Sequence, residues 1–145
     1  MFVLDTDHLS FLDRPESELG LLIRNRLDAA RPAAVATTIV NFEEQTRGRF
    51  AFLARAKSMA QLLDAYGRLE SHLKMYCSIP VLSFDAPAAA QFESLRQAKL
   101  KIGTMDLRIA AIVLSRDATL ISRNLRDFQQ VPGLRVEDWT IETAR

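Results

Sequence analysis

Carboxylates stand beside most of the short apolar segments of this sequence. The acids nearest to such segments are Asp5, Asp7, Glu43, Glu44, Asp106 and Asp127. Several carboxylates in one pocket repel one another, so some of them stay protonated unless a cation is present. Oxygen ligands without a His or Cys cluster favour a hard divalent ion, Mg²⁺ or Mn²⁺, over zinc. The acids therefore indicate a metal site if the fold brings them together.

The elements that must position these acids can be predicted from the apolar residues. Short segments rich in branched and aromatic side chains predict five strands, at residues 2–4, 33–37, 80–84, 118–122 and 134–139. Helical patterns lie between them. Strands that alternate with helices imply an α/β fold, with a mainly parallel sheet of about five strands covered by helices on both faces.

The helices are predicted from apolar residues that recur every three or four positions. One helix is expected to begin at Asp85 and to end near Gly103, and the stretch 106–115 is apolar almost all round, which indicates a buried helix. A long helix is expected over about 50–77. Its predicted apolar face consists of Phe52, Ala56, Met59, Leu63, Tyr66, Leu69, Leu73 and Tyr76.

In a sheet of this kind, functional groups lie beyond the carboxyl ends of the strands, where the strand order reverses. Asp5 ends a strand that is expected to be central, where a buried carboxylate is costly without a partner. The other acids also have ordinary structural explanations. These are helix capping for Asp7, the helix dipole for Glu43, Glu44 and Asp106, and simple solvation for Asp127.

Composition limits the classes of protein that fit. The 145 residues suffice for one domain, predicted over 1–145, and the net charge of +1 gives no strongly basic surface. No segment approaches the roughly 20 apolar residues of a membrane span, and no signal peptide is recognisable. The single cysteine, Cys77, excludes an internal disulfide and favours the cytoplasm. We expect Cys77 to be a small core residue.

The string DTDHL superficially resembles the nucleophile motif of haloacid-dehalogenase-type phosphatases, in which the first Asp attacks phosphorus. Leu9 departs from that motif, and all four lysines fall on helical patterns or just past one. A phosphatase that uses Asp5 as nucleophile therefore stays an alternative. Glycine-rich dinucleotide and P-loop motifs are absent from the sequence.

Taken in order, five segments resemble the PIN-domain ribonucleases, specifically the VapC-type toxins of toxin–antitoxin systems. The resemblance covers nearly the whole chain. It is carried by FVLDTDHLS, TTIVNFEEQTRG, IGTMDLRIAAIVL, LISRNLRDF and VPGLRVEDW.

The resemblance implies catalytic and metal-binding roles for Asp5, Glu44, Asp106 and Asp127. Glu44 is favoured over Glu43 because the second acid of the family is followed four residues later by glycine, here Gly48. The fourth position is open between two residues, because many relatives carry Asp where this chain has Asn124. Asp7 is interpreted as a helix cap at the pocket edge.

The implied reaction is hydrolysis of RNA with one or two Mg²⁺ ions, Mn²⁺ being an alternative. The metal polarises the scissile phosphate and activates a water that attacks in line, which leaves 5′-phosphate and 3′-hydroxyl ends. Side chains that can position the RNA are Thr6, Ser122 and Arg123, with Arg47, Arg49 and Arg126 as candidate phosphate contacts. A solvated surface role fits these arginines equally well.

The resemblance also implies partners, namely a homodimer and a small antitoxin that blocks the acidic pocket, often with an arginine. A catalytically inactive PIN fold that only binds RNA or protein is a further alternative, supported by Asn124 alone. The two histidines lack metal-ligand spacing. His8 is a candidate contact at the pocket edge, and His72 is expected to be a surface or packing residue.

Overall fold

All five predicted strands are present, and they form one parallel sheet. The computed structural model describes residues 1–14, 16–31 and 33–141. The sheet has the order β3-β2-β1-β4-β5, so the first strand is central, as predicted. The strands are β1 (Phe2–Leu4), β2 (Val35–Thr38), β3 (Val81–Leu82), β4 (Thr119–Ile121) and β5 (Arg135–Glu137).

Seven helices connect or follow these strands within the described residues. In that part of the chain, every helix is too short or too polar to span a bilayer. Side-chain oxygens of Ser17, Thr38, Ser58 and Asp85 cap four of the helices at their N-termini. The helices are α1 (Thr6–Leu12), α2 (Glu18–Ala30), α3 (Ile39–Ala54), α4 (Met59–Ser78), α5 (Ala86–Gln97), α6 (Thr104–Ser115) and α7 (Leu125–Phe128).

Helices cover both faces of the sheet, which confirms the predicted α/β class. Successive strand residues point to opposite faces, and Val3 and Leu4 accordingly belong to two separate core clusters. The cluster around Val3 includes side chains of α5 and α6, whereas the cluster around Leu4 includes side chains of α1, α2 and α4. The predicted buried helix is α6, which buries Leu107, Ile109, Ala110, Ala111, Ile112 and Val113.

The strand order reverses between β1 and β4. From β1 the chain moves outward through β2 to β3, and it then returns to the other side of β1 to form β4 and β5. The crevice expected in such a sheet therefore lies beyond the carboxyl ends of β1 and β4. Asp5 directly follows β1, and residues 122–124 directly follow β4.

The predicted long helix at about 50–77 is wrong, because the structure has two helices there. α3 ends at Ala54, and α4 begins at Met59. Ser58 caps α4 by accepting a hydrogen bond from the backbone N–H of Gln61 at 3.2 Å. The apolar spacing continues through both helices, so periodicity alone does not reveal the break.

The buried face of α4 also differs from the predicted apolar face. Four members of the predicted face are exposed, namely Met59, Leu63, Tyr66 and Leu73. The buried residues of α4 are Ala65, His72 and Tyr76. Because α4 carries apolar side chains on two faces, its spacing does not identify the face that packs on the sheet.

Three smaller expectations also change. The helix predicted from Asp85 to about Gly103 ends at Gln97, and Lys99 follows with a left-handed φ of 51°. Cys77 is exposed and is therefore not a core residue. Residues 15, 32 and 142–145 of the predicted 1–145 domain lie outside the described residues.

Candidate active site

Asp5 is the most tightly held acid at the carboxyl edge of the sheet, and it is only 8% exposed. Its Oδ1 accepts hydrogen bonds from Asn41 Nδ2 at 2.7 Å and from the backbone N–H of Thr6 at 2.9 Å. Its Oδ2 accepts a hydrogen bond from the Ser122 hydroxyl at 2.7 Å. Burial raises the pKa of Asp5 despite these hydrogen bonds. The orientation of the carboxylate is thus fixed from α1, α3 and the end of β4.

Asn41 is fully buried in the first turn of α3 and connects two elements of the site. Besides Asp5, its Nδ2 donates to Thr6 Oγ1 at 3.1 Å. Its Oδ1 accepts a hydrogen bond from the hydroxyl of Thr38, the helix cap, at 2.7 Å. These partners fix which way the amide points. Sequence reasoning did not single out Asn41, although a polar residue three positions after a threonine cap, among apolar neighbours, was a usable signal.

Glu43 and Glu44 have different surroundings. Glu43 forms an ion pair with Arg47, with Oε2 and Nη2 2.7 Å apart. Glu44 is exposed, yet enough protein surrounds it that desolvation raises its pKa, and the negative charges of Asp5 and Asp106 raise it further. Glu44 is therefore the glutamate that lies within electrostatic range of the other acids.

Asp106 and Asp127 are joined by the side chain of Asn124. The amide Nδ2 of Asn124 donates to Asp106 Oδ2 at 3.3 Å and to Asp127 Oδ2 at 3.1 Å. Burial, together with the charges of Asp5 and Asp127, raises the pKa of Asp106 to about 6. Both residues considered for the fourth position of the site, Asn124 and Asp127, thus lie beside Asp106.

Asp7 is not the helix cap that was predicted. The N-cap of α1 is Asp5, and Asp7 lies in the first turn. Asp7 Oδ1 lies 2.6 Å from His8 Nδ1, and its Oδ2 accepts a hydrogen bond from the backbone N–H of Arg123 at 3.0 Å. Burial favours a higher pKa for Asp7, but these hydrogen bonds outweigh it and hold the pKa below its usual value. Asp7 therefore ties α1 to the loop after β4.

Both histidines are buried rather than exposed at a pocket edge. His8 is 0% exposed, and its Nε2 accepts a hydrogen bond from the backbone N–H of Trp139 at 3.1 Å. Because that N–H can only donate, Nε2 carries no proton and Nδ1–H donates to Asp7. The predicted contact of His8 at the pocket edge is therefore wrong. His72 is a packing residue, as expected, with Nε2 2.8 Å from Thr46 Oγ1.

Curated relatives of this chain carry the name VapC. The tRNA(fMet)-specific endonuclease VapC of Salmonella typhimurium is 29% identical over 142 residues, which cover 95% of this chain and 97% of the relative. Ribonuclease VapC2 of Rickettsia felis is 32% identical over 75 residues, which cover 48% of this chain and 56% of the relative. No protein-family model matches the chain.

Solved structures give the same result over almost the full length. A chain of the DNA-bound VapBC from Salmonella typhimurium aligns with a TM-score of 0.70 and 25% identity, covering 95% of this chain and 97% of that one. The chain thus resembles VapC proteins over almost its full length and has the fold of their solved structures. A chain of VapBC2 from Rickettsia felis, at 22% identity, has the same fold, with a TM-score of 0.68 over 95% of this chain and 98% of that one.

In this chain, the four predicted acids share one edge of the sheet, but they do not form a compact cage. Among the described residues, no three His, Cys, Asp or Glu side chains are arranged to hold one ion together. Mg²⁺ commonly keeps several waters and contacts only one or two carboxylates. An all-oxygen set with raised pKa values at Asp5, Glu44 and Asp106 therefore fits Mg²⁺ in its chemistry.

Tyr76 is a second neighbour of the site that sequence reasoning missed. Its hydroxyl donates to Gln45 Oε1 at 2.7 Å. Burial raises the pKa of Tyr76, and the negative charges of Asp5 and Glu44 raise it further, so the hydroxyl stays neutral. In the sequence, Tyr76 counts only as one member of an apolar helix face, and the acids near it come from other elements.

Proposed function

We propose that this chain is the endoribonuclease toxin of a toxin–antitoxin pair and that it hydrolyses RNA phosphodiester bonds with Mg²⁺ as its cofactor. The observation that carries this proposal is the gathering of carboxylates at the β1–β4 crevice of a chain that resembles VapC proteins. The names of the relatives as ribonucleases and endonucleases support the same activity.

Asp5, Glu44, Asp106 and Asp127 are the proposed residues that hold one or two Mg²⁺ ions, partly through water. A bound ion supplies Lewis acidity toward the scissile phosphate and lowers the pKa of water. The chain itself supplies orientation. Asn41 and the Ser122 hydroxyl fix the Asp5 carboxylate, and Asn124 keeps Asp106 and Asp127 side by side. Hydrogen bonds that a metal-binding side chain makes to its neighbours fix its orientation toward the metal.

The proposed partners are RNA, a small antitoxin and a second copy of this chain. The solved neighbours are VapBC complexes, which supports the antitoxin. An antitoxin arginine is a suitable plug for an acidic pocket. For protein contacts, α4 presents exposed apolar side chains at Met59, Leu63, Tyr66 and Leu73. The proposed location is the cytoplasm, where the lone cysteine stays reduced.

Cleavage of a structured RNA by the purified protein tests the activity. We expect cleavage with Mg²⁺ or Mn²⁺, none with EDTA, and products with 5′-phosphate and 3′-hydroxyl ends. Products that carry 2′,3′-cyclic phosphates would contradict the proposed use of water as nucleophile. Absence of cleavage with either metal would contradict the enzyme assignment and favour the binding-only alternative.

The phosphatase alternative is less well supported than the ribonuclease. The relatives are named as endonucleases and ribonucleases, and Leu9 departs from the phosphatase motif. Hydrolysis of small phosphomonoesters, with a trapped aspartyl-phosphate at Asp5, would reverse this preference.

A further inference from the structure

A polar cavity of about 620 Å³, open to solvent on one side, is bordered by the end of α1, by α3 at Arg49 and by α4 from Leu63 to Ser71. Three arginines and two aspartates line it, so the net charge of its wall is positive. The arginines are Arg14 from just after α1, Arg49 from α3 and Arg68 from α4. None of the four acids proposed to hold the metal lies in this wall.

Arg49 lies on the same helix as Glu44, so the cavity and the acidic pocket share α3. Arg49 follows Glu44 by five residues, which corresponds to about 7.5 Å along the helix axis and about 140° around it, so the two side chains leave different faces of α3. One turn before Arg49, Gln45 accepts the hydrogen bond from Tyr76. The positive charge of Arg49 acts to lower the pKa of Tyr76, while Asp5 and Glu44 act to raise it. Tyr76 thus lies within electrostatic range of both the acids and Arg49.

Two of the three guanidinium groups are not neutralised by the described part of the chain. Arg68 forms an ion pair with Asp64 at 3.3 Å and covers the Phe52 ring at 4.4 Å. Arg14 and Arg49 form no ion pair with any described residue, and Arg49 Nε is buried there without a hydrogen-bond partner. Unpaired arginines beside a cavity favour an anionic occupant.

Gly67 forms part of the cavity wall on the side of α4. It lies in the middle of α4 and borders the cavity. Glycine is unfavourable inside a helix relative to alanine. A Cβ placed on Gly67 would meet no atom within 4 Å, so packing within the fold does not require glycine there. Without a side chain at Gly67, the cavity is wider beside α4.

We propose that this cavity binds a phosphate of the RNA strand adjacent to the scissile bond, with Arg49 and Arg14 as its ligands. This inference rests on the proposed ribonuclease function. An RNA strand whose scissile phosphate lies at Asp5 and Glu44 must continue beyond the acidic pocket. Arg49, in the cavity wall, lies less than two turns of α3 from Glu44. Guanidinium groups match phosphate oxygens in a bidentate geometry.

Arg47 is a matched control for Arg49. It lies on the same helix two residues earlier and is exposed, and its guanidinium pairs with Glu43 at 2.7 Å. It does not line the cavity. Sequence reasoning treated Arg47 and Arg49 as equal candidates for phosphate contact, whereas the structure gives them different surroundings.

The first test measures binding of a short labelled single-stranded RNA in EDTA by fluorescence anisotropy at several salt concentrations. Arg49→Gln is expected to weaken binding about tenfold, since a charge-assisted contact is lost. The slope of log affinity against log salt should flatten by about 0.7. Arg49→Lys should recover part of the affinity, and Arg47→Gln should bind like the wild type. In cleavage assays, Arg49→Gln should raise KM and leave kcat within about twofold, the pattern of lost uniform binding.

The second test uses Gly67→Gln and Gly67→Glu, which differ only in charge. Both residues favour helix more than glycine does, so neither variant is expected to melt below the wild type. Both narrow the cavity, and only Gly67→Glu adds a negative charge. RNA affinity should therefore fall from wild type to Gly67→Gln to Gly67→Glu.

Each outcome decides the proposal. Wild-type RNA affinity in Arg49→Gln and Gly67→Glu overturns it. Normal RNA affinity combined with weaker inhibition by a co-expressed antitoxin overturns it as well, because the cavity then belongs to a protein partner. Weakened RNA binding in these variants, together with a wild type that does not cleave RNA with Mg²⁺, supports the phosphate site and contradicts the proposed function.

Discussion

The two sides of the acidic pocket are built differently. On the strand side, Asp5 follows β1, is nearly buried, and accepts hydrogen bonds at both oxygens from neutral donors. On the helix side, Glu44 and Asp106 extend from α3 and α6, and Asp106 is held by one amide, that of Asn124. The strand side fixes geometry, whereas the helix side is dominated by repulsion between carboxylates.

This difference assigns separate tasks to the two sides. The hydrogen bonds from Thr6, Asn41 and Ser122 hold the Asp5 carboxylate in one orientation, so the strand side can define where a metal binds. Repulsion on the helix side raises the pKa of Glu44 and of Asp106. A divalent cation relieves that repulsion, so the helix side should respond most to metal and to pH. Substitutions on each side can therefore test whether the two sides have these separate tasks.

The largest effect on the rate of RNA cleavage is expected from Asp5→Asn. The variant keeps the size of the side chain and removes the charge that the strand side orients. Loss of a partner that merely supports a ligand costs about 10–100-fold in activity, and loss of the ligand itself should exceed that range. Rates of RNA cleavage with Mg²⁺ measure the effect, and circular dichroism confirms that the variant is folded. Cleavage within tenfold of the wild type would remove Asp5 from the site.

Asn41→Ala should have the next largest effect. It removes one donor to Asp5 and leaves the Thr38 hydroxyl without its acceptor in a buried position. We expect activity to fall about 10–100-fold and the free energy of unfolding to drop by about 1–3 kcal/mol. Urea titrations and cleavage rates measure the two effects. Full activity in Asn41→Ala would mean that the strand side does not depend on preset orientation.

The strand side was the easier one to predict from sequence, except for the role of Asn41. Asp5 could be located because parallel strands end at one edge of the sheet, so an acid directly after an apolar segment must lie there. The partners of Asn41 are Asp5 directly after β1, Thr6 in α1 and Thr38, the cap of α3. No local sequence pattern predicts that these residues come into contact. Asp7 was assigned the capping role that Asp5 holds, because helix boundaries cannot be fixed to one residue by pattern.

The prediction of the acids on the helix side depended more on the family resemblance than on the residues themselves. The preference for Glu44 over Glu43 came from the glycine four residues later, and the ion pair of Glu43 with Arg47 now agrees with it. The two helices α3 and α4 were merged in the prediction because apolar side chains occur on more than one face of α4. Which face packs on the sheet is decided by tertiary contacts that the spacing does not contain.

Glu44→Gln and Glu43→Gln form a matched pair on the helix side. Glu44→Gln removes a carboxylate that interacts with Asp5 and Asp106, so we expect cleavage to fall about tenfold or more. Glu43→Gln breaks only a surface ion pair with Arg47, which typically changes stability by less than about 1 kcal/mol. Its cleavage rate should match the wild type. Equal losses in both variants would contradict the assignment of Glu44 to the site.

The smallest effect is a shift in stability upon Asp106→Asn. Because the pKa of Asp106 is raised to about 6 in the folded protein, the folded state binds this proton more tightly than the unfolded chain does. Without metal, this group lowers stability as the pH rises from about 4 through 6. Asp106→Asn should therefore melt above the wild type at pH 7 in EDTA and close to it at pH 4.

Mg²⁺ provides the complementary measurement on the same variant. A ligand that binds only the folded state stabilises it, so Mg²⁺ should raise the melting temperature of the wild type more than that of Asp106→Asn. Glu93→Gln, at an exposed acid paired with Arg96, is the control and should respond to Mg²⁺ like the wild type. If Asp106→Asn melts lower in EDTA and Mg²⁺ shifts all three proteins equally, the helix-side carboxylates do not share a site. The contrast between a rigid strand side and a repelling helix side would then not hold.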